Sequence, residues 1–204
     1  YVSVVAFEAV ALPTVAEYLV PGFSRGYLWT VAGWDVNLTW VLVGVVAAIV
    51  ITAINILGIR PAARVQVLAT TLVVAVGLLL IGGGAAGGDS ANLQPLFTNG
   101  SKGLLSVLIM VPFMFVGFDV IPQSAEEIDI PFADIGRLLM LSIAMAVLWY
   151  VAMIWAVSVG LAATDRAAST LPTADASAAL LGGDWAGKLL VVGGIGGILT
   201  SWNA

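Results

Sequence analysis

The chain contains no cysteine and no histidine. Without cysteine there is no disulfide framework and no thiolate metal site. Without histidine the commonest general base and metal ligand is gone. Charge is scarce too. Only 9% of the 204 residues are Asp, Glu, Lys or Arg, against roughly a quarter in soluble domains. Seven basic and twelve acidic residues leave a net charge of −5 and no basic stripe for nucleic acid. Most familiar enzyme chemistry is therefore unavailable, and no catalytic residue, resident metal or cofactor is expected. What fills the chain is apolar: 61% of it is hydrophobic, with a mean hydropathy of +1.09. One soluble core cannot hide that much apolar surface, so the composition predicts an all-α integral membrane protein with the lipid bilayer as its main partner. There is no signal-peptide pattern. The chain opens in "YVSVVAFEAV" and closes on "GGILTSWNA", both apolar, and is expected to be a fragment of a longer protein.

A membrane span needs roughly 20 apolar residues. Six candidates occur, at about 1–20, 36–59, 65–84, 103–129, 137–163 and 186–204, within a single transmembrane domain. Pro21-Gly22, Gly58 with Pro61, the glycines from 82 to 88 and Pro131 supply stop signals at the joins. Residues 85–102 read as a Gly-rich connection. Residues 164–185 read as a loop with a short surface helix. Trp29, Trp34, Trp149 and Trp185 fall near span ends, as interfacial aromatics do. Arg60, Arg64 and Arg137 fall on one side of the membrane. Arg25, Lys102, Arg166 and Lys188 fall on the other, so the basic count alone sets no orientation.

The fourth candidate is irregular. Its centre reads "PFMFVGFDVIPQSAEEIDIP", residues 112–131. A 27-residue crossing would be roughly 40 Å long, with its midpoint at Val116–Gly117. Asp119 can cap a second half-helix. Pro122 falls in that half's first turn, where its missing N–H costs nothing. Gly117 gives the link backbone freedom. The segment thus reads as two half-helices broken near 116–118. Unwound backbone at membrane depth survives only when buried in protein or lining a cavity, and transporters build substrate sites this way. A proline-kinked helix without a ligand is the other reading.

The same segment resembles the sixth span of the amino acid–polyamine–organocation permeases. The residues that carry the likeness are "PFMFVGFDV", "SAEE" and Pro131. "INILGIRPAARVQ" is similar to that family's join between spans four and five, "YVSVVAFEAVALP" to span three and "GGILTSWNA" to the start of span eight. The resemblance implies a chain running from span three into span eight of a five-plus-five inverted repeat, with the remaining spans of the same transporter as partners. It implies secondary active transport of amino acids or related amines by alternating access, in a cell membrane such as the bacterial inner membrane. It places Glu126, Glu127, Arg60, Arg64 and Arg137 on the cytoplasmic side. A non-transporting structural or subunit-like module, whose break is only a kink, is the alternative.

Site residues follow residue by residue. The resemblance implies that the carbonyls of Phe113 and Val116 receive the substrate ammonium, with Gly117 allowing the approach, Asp119 capping beside them and Phe113 as the gating aromatic. Phe118 is a further candidate, although packing or lipid contact explains both it and Phe115. Glu8 is an ionisable group inside a span, hence a functional candidate by default; a glutamate hydrogen-bonded across helices is its plain reading. Val4, Val5 and Ala9 share its neighbourhood. Glu17 reads as interfacial. The family's proton-coupled members carry a lysine in span five, and 65–84 has none. Thr200 and Ser201 are adjacent hydroxyls of the kind that ligate sodium in relatives of this fold, and hard oxygen suits a hard cation. Interhelical packing explains them equally. Coupling to Na⁺, coupling to H⁺ and exchange all stay open.

Overall fold

A computed structural model describes residues 2–31, 33–97, 99–115, 117–118 and 131–203. Those residues form eight α-helices, one two-stranded hairpin and one 3₁₀ turn, which is the all-α class that the composition predicts. Three helices are long and apolar enough to cross a bilayer, over Leu38–Ile56, Arg60–Gly87 and Asp134–Gly160. They carry their apolar side chains outward: Val46 and Ile49 on the first, Leu68 on the second and Leu148 on the third are exposed. In lipid that outward apolar face is the stable arrangement.

Helix α1, Val2–Leu19, holds Pro13 in its interior. Proline has no N–H to give the carbonyl four residues back, so the Ala9 carbonyl is left without its helical donor. Gly44 of α2 (Leu38–Ile56) lies against that oxygen; a Cβ there would sit 3.2 Å from it. The proline therefore marks where two backbones come close. Between the helices, β1 (Tyr27–Val31) pairs antiparallel with β2 (Trp34–Asn37). Gly33 turns the hairpin at φ +84°, and Thr30 Oγ1 donates to Asp35 Oδ1 at 2.7 Å. Glu17 is more than an interfacial charge. Its carboxylate accepts from the backbone N–H groups of Gly22 (3.2 Å) and Ser24 (2.9 Å) and from the Ser24 hydroxyl, and so fixes the turn after α1.

Helix α3 spans Ile59–Gly87 and passes through the glycines that sequence reasoning took as its stop signal. Those glycines serve packing. A Cβ on Gly84 would lie 3.1 Å from the Ala156 Cα, and one on Gly83 would lie 3.0 Å from a Leu181 methyl. After the 3₁₀ turn Ser90–Leu93 comes α4, Gly100–Met114. Helix α5 runs over Phe132–Gly160, and Trp149 on it covers Gly77 of α3 so closely that any side chain there would overlap the indole.

The connection after α5 departs from the expected surface element. It contains α6 (Ala163–Ala168) and α7 (Pro172–Leu181). Arg166 donates to the Asn92 carbonyl at 3.1 Å, to Ser158 O at 2.7 Å and to Leu161 O, closing carbonyls at the α5 C-terminus. Helix α7 is sunk into the bundle. Ala174, Ala176 and Ser177 are buried, and the Ser177 hydroxyl donates to Ala186 O at 3.2 Å. Pro172 starts this helix and Gly182, left-handed at φ +76°, ends it. Its small residues explain the depth: a helix built largely of alanine is thin enough to enter.

Helix α8, Asp184–Asn203, lies against α1, α3 and α7. Gly193 takes the Val76 side chain, and a Cβ on Gly187 would reach the Tyr18 hydroxyl at 2.7 Å and Ala174 O at 2.9 Å. The core is Val76, Leu80, Ala156, Ala174, Ala176, Leu190 and Val191, drawn from α3, α5, α7 and α8.

Candidate functional site

The end of α4 lies inside the described residues. Helix α4 ends at Met114, in the middle of an apolar run. The Phe115 N–H still reaches back to Pro112 O at 3.2 Å, and Gly117 stands at φ +103°. That angle suits glycine alone. A helix end leaves its last carbonyls without intrahelical donors. One of them, Met114 O, is taken by the Tyr150 hydroxyl of α5 at 3.0 Å. The Tyr150 ring also meets Phe115 edge-on at 6.2 Å between centroids, and Phe115 meets Phe118 at 5.8 Å. An aromatic trio thus surrounds the end of α4, with Phe115 and Phe118 engaged in ring packing. Phe113 lies in the last turn of α4. Val116, Asp119, Pro122, Glu126 and Glu127 lie outside the described residues.

Two candidates from opposite ends of the chain meet elsewhere. Glu8 on α1 is buried, with 7% of its surface exposed. The Ser201 hydroxyl on α8 donates to Glu8 Oε1 at 2.6 Å and so ties the two helices together. Thr200 takes no part: its hydroxyl turns back to Gly197 O of its own helix at 2.8 Å. The adjacent hydroxyls therefore have different partners. Sequence reasoning treated Glu8 and Ser201 as members of separate sites. Their contact spans 193 positions, and no local pattern signals it.

A groove of about 860 Å³ opens beside this contact, between α1, α2, the hairpin and the end of α8. Ala9, Val10, Trp29, Trp40, Gly44 and Trp202 are among its walls. Among the described residues this lining offers no donor or acceptor side chain suited to an ammonium or a carboxylate beyond the Trp N–H groups, so its described walls are apolar. Tyr150 is the residue that sequence reasoning missed. Its signal was present, since a tyrosine hydroxyl within an apolar helix needs a partner.

An all-helical bundle with three helices long and apolar enough to cross a bilayer, and a carboxylate buried between helices, defines a class, the polytopic membrane proteins. The family follows from comparison: the amino acid permease family matches residues 1–204, and the chain belongs to it, within the amino acid–polyamine–organocation superfamily. It is 27% identical over 177 residues to cationic amino acid transporter 9, chloroplastic, of Arabidopsis thaliana, covering 85% of this chain and 31% of that protein. It is 31% identical over 125 residues to the branched-chain amino acid permease BcaP of Bacillus subtilis (strain 168), covering 60% and 27%. It is 29% identical over 168 residues to cationic amino acid transporter 6, chloroplastic, of Arabidopsis thaliana, covering 78% and 29%. The chain spans about a third of the length of these relatives, which are transporters rather than enzymes.

Proposed function

We propose that the full-length protein carries amino acids or related amines across a cell membrane by alternating access, as a secondary active transporter. The observation that supports this most is the end of α4: an apolar helix stops at Met114, Gly117 adopts φ +103°, and a tyrosine from α5 takes the freed carbonyl. In this reading the substrate ammonium meets the carbonyls of Phe113 and Val116. Gly117 keeps the approach open, Phe118 and Asp119 flank it, and Glu8 contributes from α1. Carbonyls suit an ammonium, whose three donors need three acceptors. The spans of the full-length protein outside these residues complete the pocket. The relatives' names divide between cationic and branched-chain amino acids, which leaves the substrate class between those two. A cell membrane, such as the bacterial inner membrane, is the proposed location; the relatives come from Bacillus subtilis and from Arabidopsis thaliana. Coupling is to Na⁺, to H⁺ or to a counter-substrate, with Thr200 and Ser201 as the residues for a sodium ion.

Uptake of labelled amino acids into proteoliposomes containing the full-length protein tests this reading. Saturable, competable uptake is expected. Gly117→Leu is expected to abolish it while leaving insertion intact, because a branched side chain at φ +103° is strained whatever the space around it. Uptake of no amino acid by the unaltered protein refutes the function. Full uptake by Gly117→Leu refutes the site.

A further inference from the structure

Helix α3 carries two arginines on its outward side. Ala62 is buried, Ala69 lies against Gly196 of α8 and Val76 against Gly193, so these three mark the side of α3 that meets the bundle. At about 100° per residue, Arg60, Arg64, Val67, Leu68 and Thr71 share the opposite side, within an arc of about 100°. All five are exposed, Val67 at 66% and Leu68 at 73%. The Thr71 hydroxyl donates to Val67 O of its own helix at 2.7 Å. A shallow hollow of about 350 Å³, with Val67, Thr70, Thr71 and Val74 among its walls, flanks this stripe. The stripe is thus cationic at the start of α3 and apolar one turn further on.

Neither guanidinium forms an ion pair with a described residue. The first turn of α3 holds no acidic residue. Like charges four positions apart on a helix repel, so the pair favours an anion from outside the helix. Depth decides which anion is at hand. The apolar span Arg60–Gly87 has 28 residues, roughly 42 Å at a rise of about 1.5 Å each. The hydrocarbon layer is roughly 30 Å thick, and roughly 40–45 Å with its headgroups. The arginine end of α3 therefore lies among phospholipid headgroups. A guanidinium fork matches a phosphate with two parallel N–H donors.

We infer that this stripe binds a phospholipid with a net negative headgroup, its phosphate held between Arg60 and Arg64 and an acyl chain lying along Val67 and Leu68. A choline or ethanolamine headgroup fits less well, because it brings a positive group beside two guanidiniums. The tight turn from α2 keeps the pair in place: Gly58, at φ +108°, donates its N–H to Asn55 O at 3.1 Å. The site is separate from the end of α4 and stands whether or not the transport reading does.

Native mass spectrometry of the full-length protein in detergent tests this, with dioleoyl phosphatidylglycerol and dioleoyl phosphatidylcholine added in equal amounts. A basic residue near a lipid headgroup is worth about fivefold in binding, so the unaltered protein is expected to retain phosphatidylglycerol in preference by about tenfold or more. Arg60→Gln with Arg64→Gln is expected to abolish the preference. Arg60→Lys with Arg64→Lys keeps the charges and is expected to keep part of it. The ratio of two lipids on one protein does not depend on how much of that protein is folded. Arg137 is the control. Gly77 lies beside Trp149 and Gly84 beside Ala156, so α3 and α5 run in the same direction and exposed Arg137 stands at the same end of the bundle as Arg64. Arg137→Gln is expected to leave the preference unmoved. Equal retention of both lipids by the unaltered protein overturns the inference. So does a loss in Arg137→Gln as large as in the double variant, which is the mark of general surface charge. Displacement of phosphatidylglycerol by inorganic phosphate overturns the lipid as the occupant.

Discussion

Replacing Tyr150 by phenylalanine removes one oxygen from the end of α4 and nothing else. The ring that meets Phe115 at 6.2 Å stays, and only the hydroxyl bonded to Met114 O at 3.0 Å is lost. Tyr150 and Met114 are both half-buried. The lost bond is accordingly worth about 1 kcal/mol, the usual net value, and short of the cost of a fully sealed orphan. One kcal/mol changes a two-state population about fivefold. If the hydroxyl holds the broken end in the substrate-receiving geometry, the apparent affinity for substrate falls by about that factor, because only the competent fraction binds. Concentration-dependent uptake by the full-length protein in proteoliposomes measures it. The expected result is KM raised several-fold, with the amount of inserted protein unchanged. A second variant separates ring from hydroxyl: Tyr150→Leu also loses the edge-on contact with Phe115, a further loss on the order of 1 kcal/mol. A Tyr150→Phe protein with unaltered KM and Vmax refutes the reasoning, since the oxygen would then hold nothing that transport uses.

Two more outcomes are expected. Gly193→Val puts a side chain where the Val76 methyl already lies, 2.3 Å from the position of a Cβ, and Val76 is buried. Its cost is on the order of 3 kcal/mol, the upper end for overpacking; a thermal melt of the detergent-solubilised protein should drop by several degrees, and Val76→Ala should recover part of the loss, whereas strictly additive effects would contradict the contact. Thr200→Ala removes a hydroxyl bonded only to its own helix; under sodium coupling through this residue, uptake loses its sodium stimulation, and stimulation that survives the change excludes Thr200 as a ligand.

The helical class and the end of α4 before Gly117 were legible because each rests on local chemistry. Long apolar runs mark α2, α3 and α5, and a glycine followed by an aspartate and a proline marks Gly117. What was illegible depends on partners distant in sequence. The glycines from 82 to 88 look like a stop signal when read locally, yet α3 continues to Gly87 because Leu181, Ala156 and Val159 press against those positions. Helix α7 looked like a surface element because its alanines, with Thr173, Asp175 and Ser177, carry little hydrophobicity. The same smallness is what lets it enter the core. The hairpin was readable in principle: "YLWTV" and "WDVN" flank a two-residue turn that contains Gly33. Glu8 was singled out by its charge within a span, and Ser201 by its hydroxyl. Their contact at 2.6 Å emerges only when α1 and α8 lie side by side.

Helix α8 carries five glycines in twenty residues. In water such a helix would lose about 4–5 kcal/mol relative to an alanine version, since glycine frees the unfolded backbone. Inside a bilayer that reference state is missing, because an unpaired backbone cannot exist in hydrocarbon and the segment is helical before it packs. The glycines have no rotamers to freeze when they meet Val76 or Tyr18. The composition that would make α8 a poor helix in water thus lets it dock at little entropic cost in lipid. The glycines that weaken this helix alone are thus what let it sit at the centre of the bundle, against Val76 and Tyr18.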